Sequence, residues 1–89
     1  MERLRLPKEG EVLGVVEQMV GFDRVTVRCR DGHVRICRIP GRLKKRVWMK
    51  EGDVVLVEPW LVQGNERGDL VNVYTKTEVE DLKRLKLWE

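Results

Sequence analysis

Residues 24–37 read RVTVRCRDGHVRIC, two short runs on either side of an Asp-Gly step. In the first run, apolar residues alternate strictly with Arg and Thr, a period of two that predicts a β-strand with one buried face. Asp31-Gly32 is a strong signal for a two-residue type I′ turn. The stretch therefore predicts an antiparallel hairpin, and the rest of the fold is expected to build outward from it.

A two-residue turn at Asp31-Gly32 would also set which residues of the hairpin face each other. Arg28 would then lie directly opposite Arg35 on the polar face. Like charges in that position destabilise a hairpin unless another group neutralises them. Glu17, in the preceding run, is one candidate; the phosphates of a bound nucleic acid are the other.

The same register bears on the two cysteines. It places Cys29 and Cys37 on opposite faces, so they could not form a disulfide without a slip, and we expect both to be reduced. Two cysteines and the lone His33 fall short of a tetrahedral zinc site. The chain also has no nucleophile motif and no glycine-rich phosphate loop, so we expect no metal, no cofactor and no enzymatic activity.

Three further strands are predicted around the hairpin, from apolar runs at 11–19, 54–58 and 68–74. Gly14 inside the first run predicts a bulge or sharp bend of the kind that a barrel needs. The period then changes, and the T-x-x-E form of Thr77 to Glu80 predicts a capping box that begins a C-terminal helix.

Together these elements predict a mainly β fold: a five-stranded OB-type barrel of the S1-like kind, with an SH3-like barrel as the alternative. A short basic helical turn is expected between strands three and four. Eighty-nine residues suffice for a single domain. We divide it into a short N-terminal tail (1–10), the barrel (11–75) and a C-terminal helix packed on the barrel (76–89). OB barrels bind oligonucleotides on the face of strands two and three, here the arginine-bearing hairpin.

Positive charge is concentrated in residues 40–50, PGRLKKRVWMK, which hold five cations. Leu43 and Val47 lie four apart and could anchor a helical turn, leaving the cations to project outward. Residues 1–50 carry thirteen Lys and Arg against six Asp and Glu, a net +7, whereas residues 51–89 carry a net −4. A polyanion would relieve the repulsion within such a cluster.

The remaining composition indicates a globular chain, with 42% hydrophobic and 37% charged residues. No apolar run approaches the ~20 residues that span a membrane. The first eight residues lack the apolar core of a signal peptide. We therefore expect a cytoplasmic protein without membrane contact, and a monomer.

Longer motifs run through most of the chain: GFDRVTVRC at 21–29, CRIPGRLKKRVW at 37–48, EGDVVLV at 51–57 and Pro59-Trp60. With them the chain from about Leu6 to Leu87 resembles archaeal translation initiation factor 1A. That family includes the eukaryotic factor 1A and, more remotely, bacterial initiation factor one. The resemblance implies an OB-fold that binds ribosomal RNA in the A site of the small ribosomal subunit. It also implies that the protein promotes initiator tRNA binding, blocks premature A-site entry, and meets that tRNA and other initiation factors indirectly.

Two groups of residues are predicted to form the site. Nine cations are expected to contact RNA, partly from the register and partly from the resemblance. They are Arg28, Arg35, Arg38, Arg42, Lys44, Lys45, Arg46, Lys50 and Arg67. Aromatic residues that could stack on a base or contact a partner are Phe22, Trp48 and Trp60, with core packing as the alternative for Trp48. Arg24 and Arg30, at the ends of the hairpin strands, could contact RNA or be merely solvated.

Two other functions remain open at this point. A protein-interaction adaptor would use the acidic second half, Trp60 and the terminal helix. A general single-stranded RNA-binding or chaperone protein would need aromatic residues on its central strands, and residues 24–39 contain none. That absence favours recognition of a shaped, phosphate-rich pocket.

Overall fold

The computed structural model describes residues 4–21, 23–44 and 49–88. Within them the chain forms a closed barrel and two helices. The elements in chain order are β1 Val12–Met19, β2 Arg24–Cys29, β3 Val34–Arg38, α1 Gly41–Lys44, β4 Val54–Pro59, β5 Arg67–Val73 and α2 Lys76–Arg84. The predicted five-stranded barrel, with a helical turn after the third strand and a C-terminal helix, is confirmed. Across the same residues, neither helix is long and apolar enough to cross a membrane.

The barrel closes because β1 pairs with two partners. Its residues 12–15 pair with β4 and its residues 14–19 pair with β2, giving the strand order β1-β2-β3-β5-β4. All pairs are antiparallel except β3 with β5. Gly14 lies in both ladders, and a Cβ there would come within 2.8 Å of the Arg28 carbonyl oxygen. The predicted bulge of β1 lies instead between Val16 and Gln18. Glycine is needed at position 14 because the backbone of the neighbouring strand approaches closely there.

Strand β4 is buried on both faces, as its continuous apolar run predicts. Val55 and Val57 point into the barrel, where they join the interior cluster. Leu56 points outward and packs with Leu82 of α2 in a second cluster on the outside of the barrel. Burying each of these side chains contributes about 1.5–3 kcal/mol. The terminal helix thus covers the β1–β4 side and leaves the opposite side of the barrel open.

The start of α2 differs from the prediction by two residues. Thr75, not Thr77, is the N-cap: its hydroxyl accepts a hydrogen bond from the Glu78 amide at 3.2 Å, and its own amide donates to the Glu78 carboxylate at 2.9 Å. Both threonines have a glutamate three residues later, so the motif alone cannot choose between them. The buried Tyr74, directly after β5, leaves Thr75 as the first residue able to cap.

The hairpin turn also differs from the prediction. Its loop has three residues, 30–32, because the Cys29 amide donates to the carbonyl of His33 and the Gly32 amide donates to that of Cys29. Gly32 has a positive φ of 94°, whereas Asp31 does not have the positive φ that a type I′ turn requires. The arrangement is a type I turn followed by a glycine bulge. It shifts the register by one residue, so Arg28 faces Val34 and Val27 faces Arg35.

A one-residue shift moves every side chain of β3 to the other face. The predicted separation of Cys29 and Cys37 onto opposite faces is therefore wrong: both are buried inside the barrel. They are nevertheless free thiols. Cys37 pairs with Val25, four residues along β2 from Cys29, which is too far for a disulfide.

Candidate nucleic-acid interface

The open side of the barrel is the outer face of β2, β3 and β5. Alternation along β2 turns Arg24 and Arg28 outward, and the shifted register turns Arg38 of β3 to the same side. Arg67 begins β5 beside Ile36 and is half-buried; it lies in the strand, although the sequence placed it in the preceding loop. We call these four arginines, Arg24, Arg28, Arg38 and Arg67, the outer-face arginines.

The like-charge pair of the hairpin is not the one that the two-residue turn predicts. Arg24, rather than Arg28, faces another arginine, and its partner is Arg38. Arg38 is 64% exposed, and its Nε lies 3.3 Å from Oδ1 of Asp69 on β5. That oxygen is buried and accepts no hydrogen bond from any described group. Asp69 pairs with Arg38 from β5, whereas Arg24 lies on the other side of Arg38 in the sheet, so these two adjacent cations leave positive charge available for an anion.

Arg28 has the partner that the sequence offered as an alternative to phosphate. Its guanidinium lies 2.5 Å from the carboxylate of Glu17 on β1. The Arg28 side chain is 68% exposed, and an ion pair of this kind contributes only about 0–1 kcal/mol. Exchanging Glu17 for a phosphate therefore has a small cost.

Arg35 does not belong to the exposed surface. The predicted position on the polar face is wrong: the side chain is only 3% exposed and lies on the inner side of the hairpin. Its two terminal nitrogens donate to the two carboxylate oxygens of Asp31, at 3.0 and 2.8 Å, and its Nε donates to the carbonyl oxygen of Gly64 at 2.5 Å. Hydrogen bonding to Asp31 raises the pKa of Arg35 above its usual range and lowers the pKa of Asp31. The residue is a permanently charged, buried cation, and all three of its guanidinium nitrogens are bonded within the protein.

The basic segment of residues 42–50 is described at its two ends. Leu43 is buried in the interior cluster, as predicted for the anchor of a helical turn. Arg42 is exposed and donates to the carbonyl of Val71 at 3.0 Å. Lys50 is exposed, with its Nζ 3.9 Å from a carboxylate oxygen of Asp53. Lys44 ends α1, and its side chain lies outside the described residues, as do Lys45, Arg46, Trp48 and Phe22.

The loop between β4 and β5, residues 60–66, presents an apolar tip. Trp60 is partly exposed, Leu61 is fully exposed and Val62 is largely exposed. Trp60 is therefore accessible to a partner, as the sequence allowed. Leu61 and Val62 were not singled out from the sequence, which predicts a polar loop after the fourth strand.

Arg30 and Trp88 connect the hairpin to the end of the chain. Arg30 donates to the carbonyl of Leu87 and its guanidinium lies 5.8 Å from the ring centre of Trp88. The apolar part of Trp88 packs against the outer cluster. This hairpin end is occupied by contacts within the chain.

The interior thiols are chemically quiet. Burial raises the pKa of Cys37 to about 12, and burial likewise raises the pKa of Cys29. Both thiols are therefore protonated at neutral pH. Among the described residues there is no group of three His, Cys, Asp or Glu placed to hold a metal ion.

Comparison with known proteins places this geometry in a family. The family model "Translation initiation factor 1A / IF-1" matches residues 1–89. Translation initiation factor 1A of Methanopyrus kandleri is 58% identical over 84 residues, covering 94% of this chain and 75% of that protein. The same factor of Methanothermobacter thermautotrophicus is 54% identical, covering 94% and 85%.

A solved structure shares the architecture. It is the solution structure of bacterial translation initiation factor one from the Wolbachia endosymbiont of Brugia malayi. It superposes with a TM-score of 0.56 at 25% identity, covering 75% of this chain and 79% of that one. Three findings agree on one family: the strand order of the barrel, the basic segment and the sequence match along the full length. The chain belongs to the translation initiation factor 1A / IF-1 family.

Proposed function

We propose that this protein binds ribosomal RNA in the A site of the small ribosomal subunit, promotes initiator tRNA binding and blocks premature A-site entry. Membership of the family supports a role in initiation. The observation that carries the RNA contact is the outer face, where Arg24 and Arg38 lie side by side and Asp69 pairs with Arg38 from the neighbouring strand β5. The proposed place of action is the cytoplasm.

The described surface suits phosphate-rich, shaped RNA better than a run of stacked bases. The outward side chains of β2 and β3 are arginines, Thr26, Val34 and Ile36, without an aromatic ring. Arginine offers a planar fork that matches phosphate oxygens. Lysines and arginines of the segment at 42–50 extend the positive charge beyond the barrel.

The mechanism is occupancy rather than chemistry. Phosphate contacts position the barrel on the subunit, and shape complementarity selects the pocket. Once docked, the bulk of the barrel excludes an elongator tRNA from the same space. Initiator tRNA and other factors then respond to the occupied site rather than to a reaction.

Charge reversal within the basic segment tests this proposal. Replacing Lys44, Lys45 and Arg46 by Glu is expected to abolish binding to purified small subunits, measured by co-sedimentation. Replacing Lys83, Arg84 and Lys86 by Glu makes the same change in net charge at the end of α2, on the other side of the barrel, and is expected to reduce binding much less. Chemical footprinting of the wild-type complex should protect A-site nucleotides. Protection elsewhere, or equal losses in both triple variants, would refute the proposed site.

A further inference from the structure

A buried arginine joins two loops at one end of the barrel. Within the described residues, Arg35 is the charged side chain that is buried, and all three of its guanidinium nitrogens donate to hydrogen-bond partners. Two donate to Asp31 in the β2–β3 hairpin, and the third donates to the backbone of Gly64 in the β4–β5 loop. We call this set of contacts the Arg35 latch.

The latch is not needed to fill the core. Burying a charge costs free energy that a well-made ion pair only offsets, so an apolar residue of similar volume is often as stable. Asp31 is 39% exposed and would remain solvated without its partner. What an apolar side chain cannot supply is a directional bond from the hairpin to a loop 29 residues away.

The loop is ordered so that such a bond can position it. The amides of Glu66 and Arg67 both donate to the carbonyl of Gln63 at 2.9 Å, and Gln63 has a positive φ of 62°. A Cβ on Gly64 would lie 2.5 Å from the carbonyl oxygen of Trp60, so the loop closes tightly on itself. A loop that is rigid within itself moves as a unit, so its bonds to β3 set its direction.

The loop lies next to the proposed RNA-binding face. The carbonyl of Glu66 accepts a hydrogen bond from the amide of Ile36, and Arg67 pairs with Ile36 at the start of the parallel β3–β5 ladder. Ile36 directly follows Arg35 in β3. A change in the loop anchor would therefore change the position of Arg67 and of the exposed tip, Leu61 and Val62, relative to the arginines on β2 and β3.

We propose that Arg35 is a positioning residue: its latch holds the β4–β5 loop against the hairpin, so that the apolar tip and the outer-face arginines meet the small subunit as one fixed surface. The inference rests on the proposed function. Arg35 itself touches no RNA in this arrangement, because its side chain is buried and its guanidinium is bonded to Asp31 and to the backbone of Gly64.

The experiment removes the latch without removing a phosphate contact. Arg35→Met keeps the volume of the side chain and leaves Asp31 solvated, so the protein is expected to fold. Hydrogen exchange at the amides of Trp60, Glu66 and Arg67 should become about tenfold faster, with β1 and β4 unchanged. Affinity for small subunits should fall about tenfold, while the salt dependence of binding stays that of the wild type. The matched control, Arg84→Met, removes an exposed arginine paired with Asp81 on α2 and should change neither property.

Arg35→Lys separates positioning from direct contact. Lysine retains the charge but lacks the planar fork, so a positioning role predicts losses like those of Arg35→Met. A phosphate contact predicts instead that lysine retains most of the affinity and that Arg35→Met flattens the salt dependence by about one contact. Should Arg35→Met not fold, Arg35→Lys carries the same measurements.

Each remaining result has a definite meaning. Wild-type affinity in a folded latch variant overturns the positioning role and leaves the proposed function intact. If hydrogen exchange in the loop becomes faster without loss of affinity, the latch is only a structural contact, and the positioning role is again overturned. If the wild-type protein does not bind small subunits at all, the proposed function fails first, and the positioning role fails with it.

Discussion

Asp31 accepts three hydrogen bonds at one turn, which explains its effect on the whole hairpin. Its Oδ1 accepts a hydrogen bond from the His33 amide at 3.2 Å, and its two carboxylate oxygens hold the Arg35 fork. These contacts favour the ionised carboxylate. They also favour the three-residue loop over the two-residue turn, because in that loop Gly32 alone takes the positive φ.

The stability of the protein should therefore depend on pH through Asp31. Hydrogen bonds from Arg35, the largest cause, lower its pKa in the folded state despite the opposing effect of burial. A lowered folded-state pKa stabilises the protein above the unfolded-state value near 4, and this contribution is lost as pH falls through the folded-state pKa. At pH 7, Asp31→Asn should lower the free energy of unfolding by about 1–2 kcal/mol, after discounting for the exposure of Asp31.

Urea unfolding followed from pH 7 down to about pH 2 measures this contribution. The difference between wild type and Asp31→Asn should shrink as the solution becomes more acidic. A difference that stays constant over this range would contradict the assigned role. Asp81→Asn makes the same chemical change in an exposed pair on α2 and is the control.

At the level of single elements, the accuracy of sequence prediction depended on how distinct the two faces of a strand are. The outward residues of β2 are Arg and Thr and its inward residues are apolar, so its faces could be assigned correctly. In β3 both faces carry apolar residues: Val34 and Ile36 point outward, and Cys37 points inward on the same face as Arg35. The alternation along β3 therefore could not exclude the observed register. Burial of Arg35 was also not expected, because arginine is rarely buried unless it is paired.

Prediction of the candidate site from the sequence was limited for the same reason. Arg28 was correctly expected on the polar face of β2, because the alternation along that strand is enough to assign it. Arg35 was misplaced, because its burial depends on Asp31 and on the backbone of Gly64, a residue distant in sequence. A pattern of apolar and polar residues carries no information about such a pairing.

The helix cap offers a direct comparison of two neighbouring threonines. Thr75→Ala removes the acceptor for the Glu78 amide and should lower the free energy of unfolding by about 0.5–2 kcal/mol. Thr77→Ala, within the first turn of α2, removes no capping bond and should be neutral or slightly stabilising, since alanine favours helices. Urea denaturation of both variants measures the difference. Equal losses would mean that the cap is not confined to Thr75.

For the whole molecule, the division of charge along the sequence becomes a division in space. Of the cations in the first fifty residues, Arg24, Arg28 and Arg38 lie on the outer face of β2 and β3, and five more belong to the segment at 42–50 that follows. The second half supplies β4, β5 and α2, with Asp69 as the carboxylate that reaches the outer face beside Arg38. Helix α2 covers the β1–β4 side, where an apolar surface would otherwise be exposed. The barrel is thus closed on one side and open to an anion on the other.

This arrangement predicts how binding responds to salt. Neutralising about five phosphates on single-stranded or irregular RNA should give a slope of roughly −3.5 to −4.5 in a plot of log K against log salt concentration. Replacing both Arg24 and Arg38 by Gln should reduce the magnitude of that slope by about 1.4–1.8, because each lost phosphate contact removes roughly 0.7–0.9. The Arg84→Gln control should leave the slope unchanged. Titrations of small subunits between about 50 and 200 mM salt cover the range in which these effects are large. A slope near zero for the wild type, or one unaffected by the double substitution, would show that the outer face does not meet phosphates.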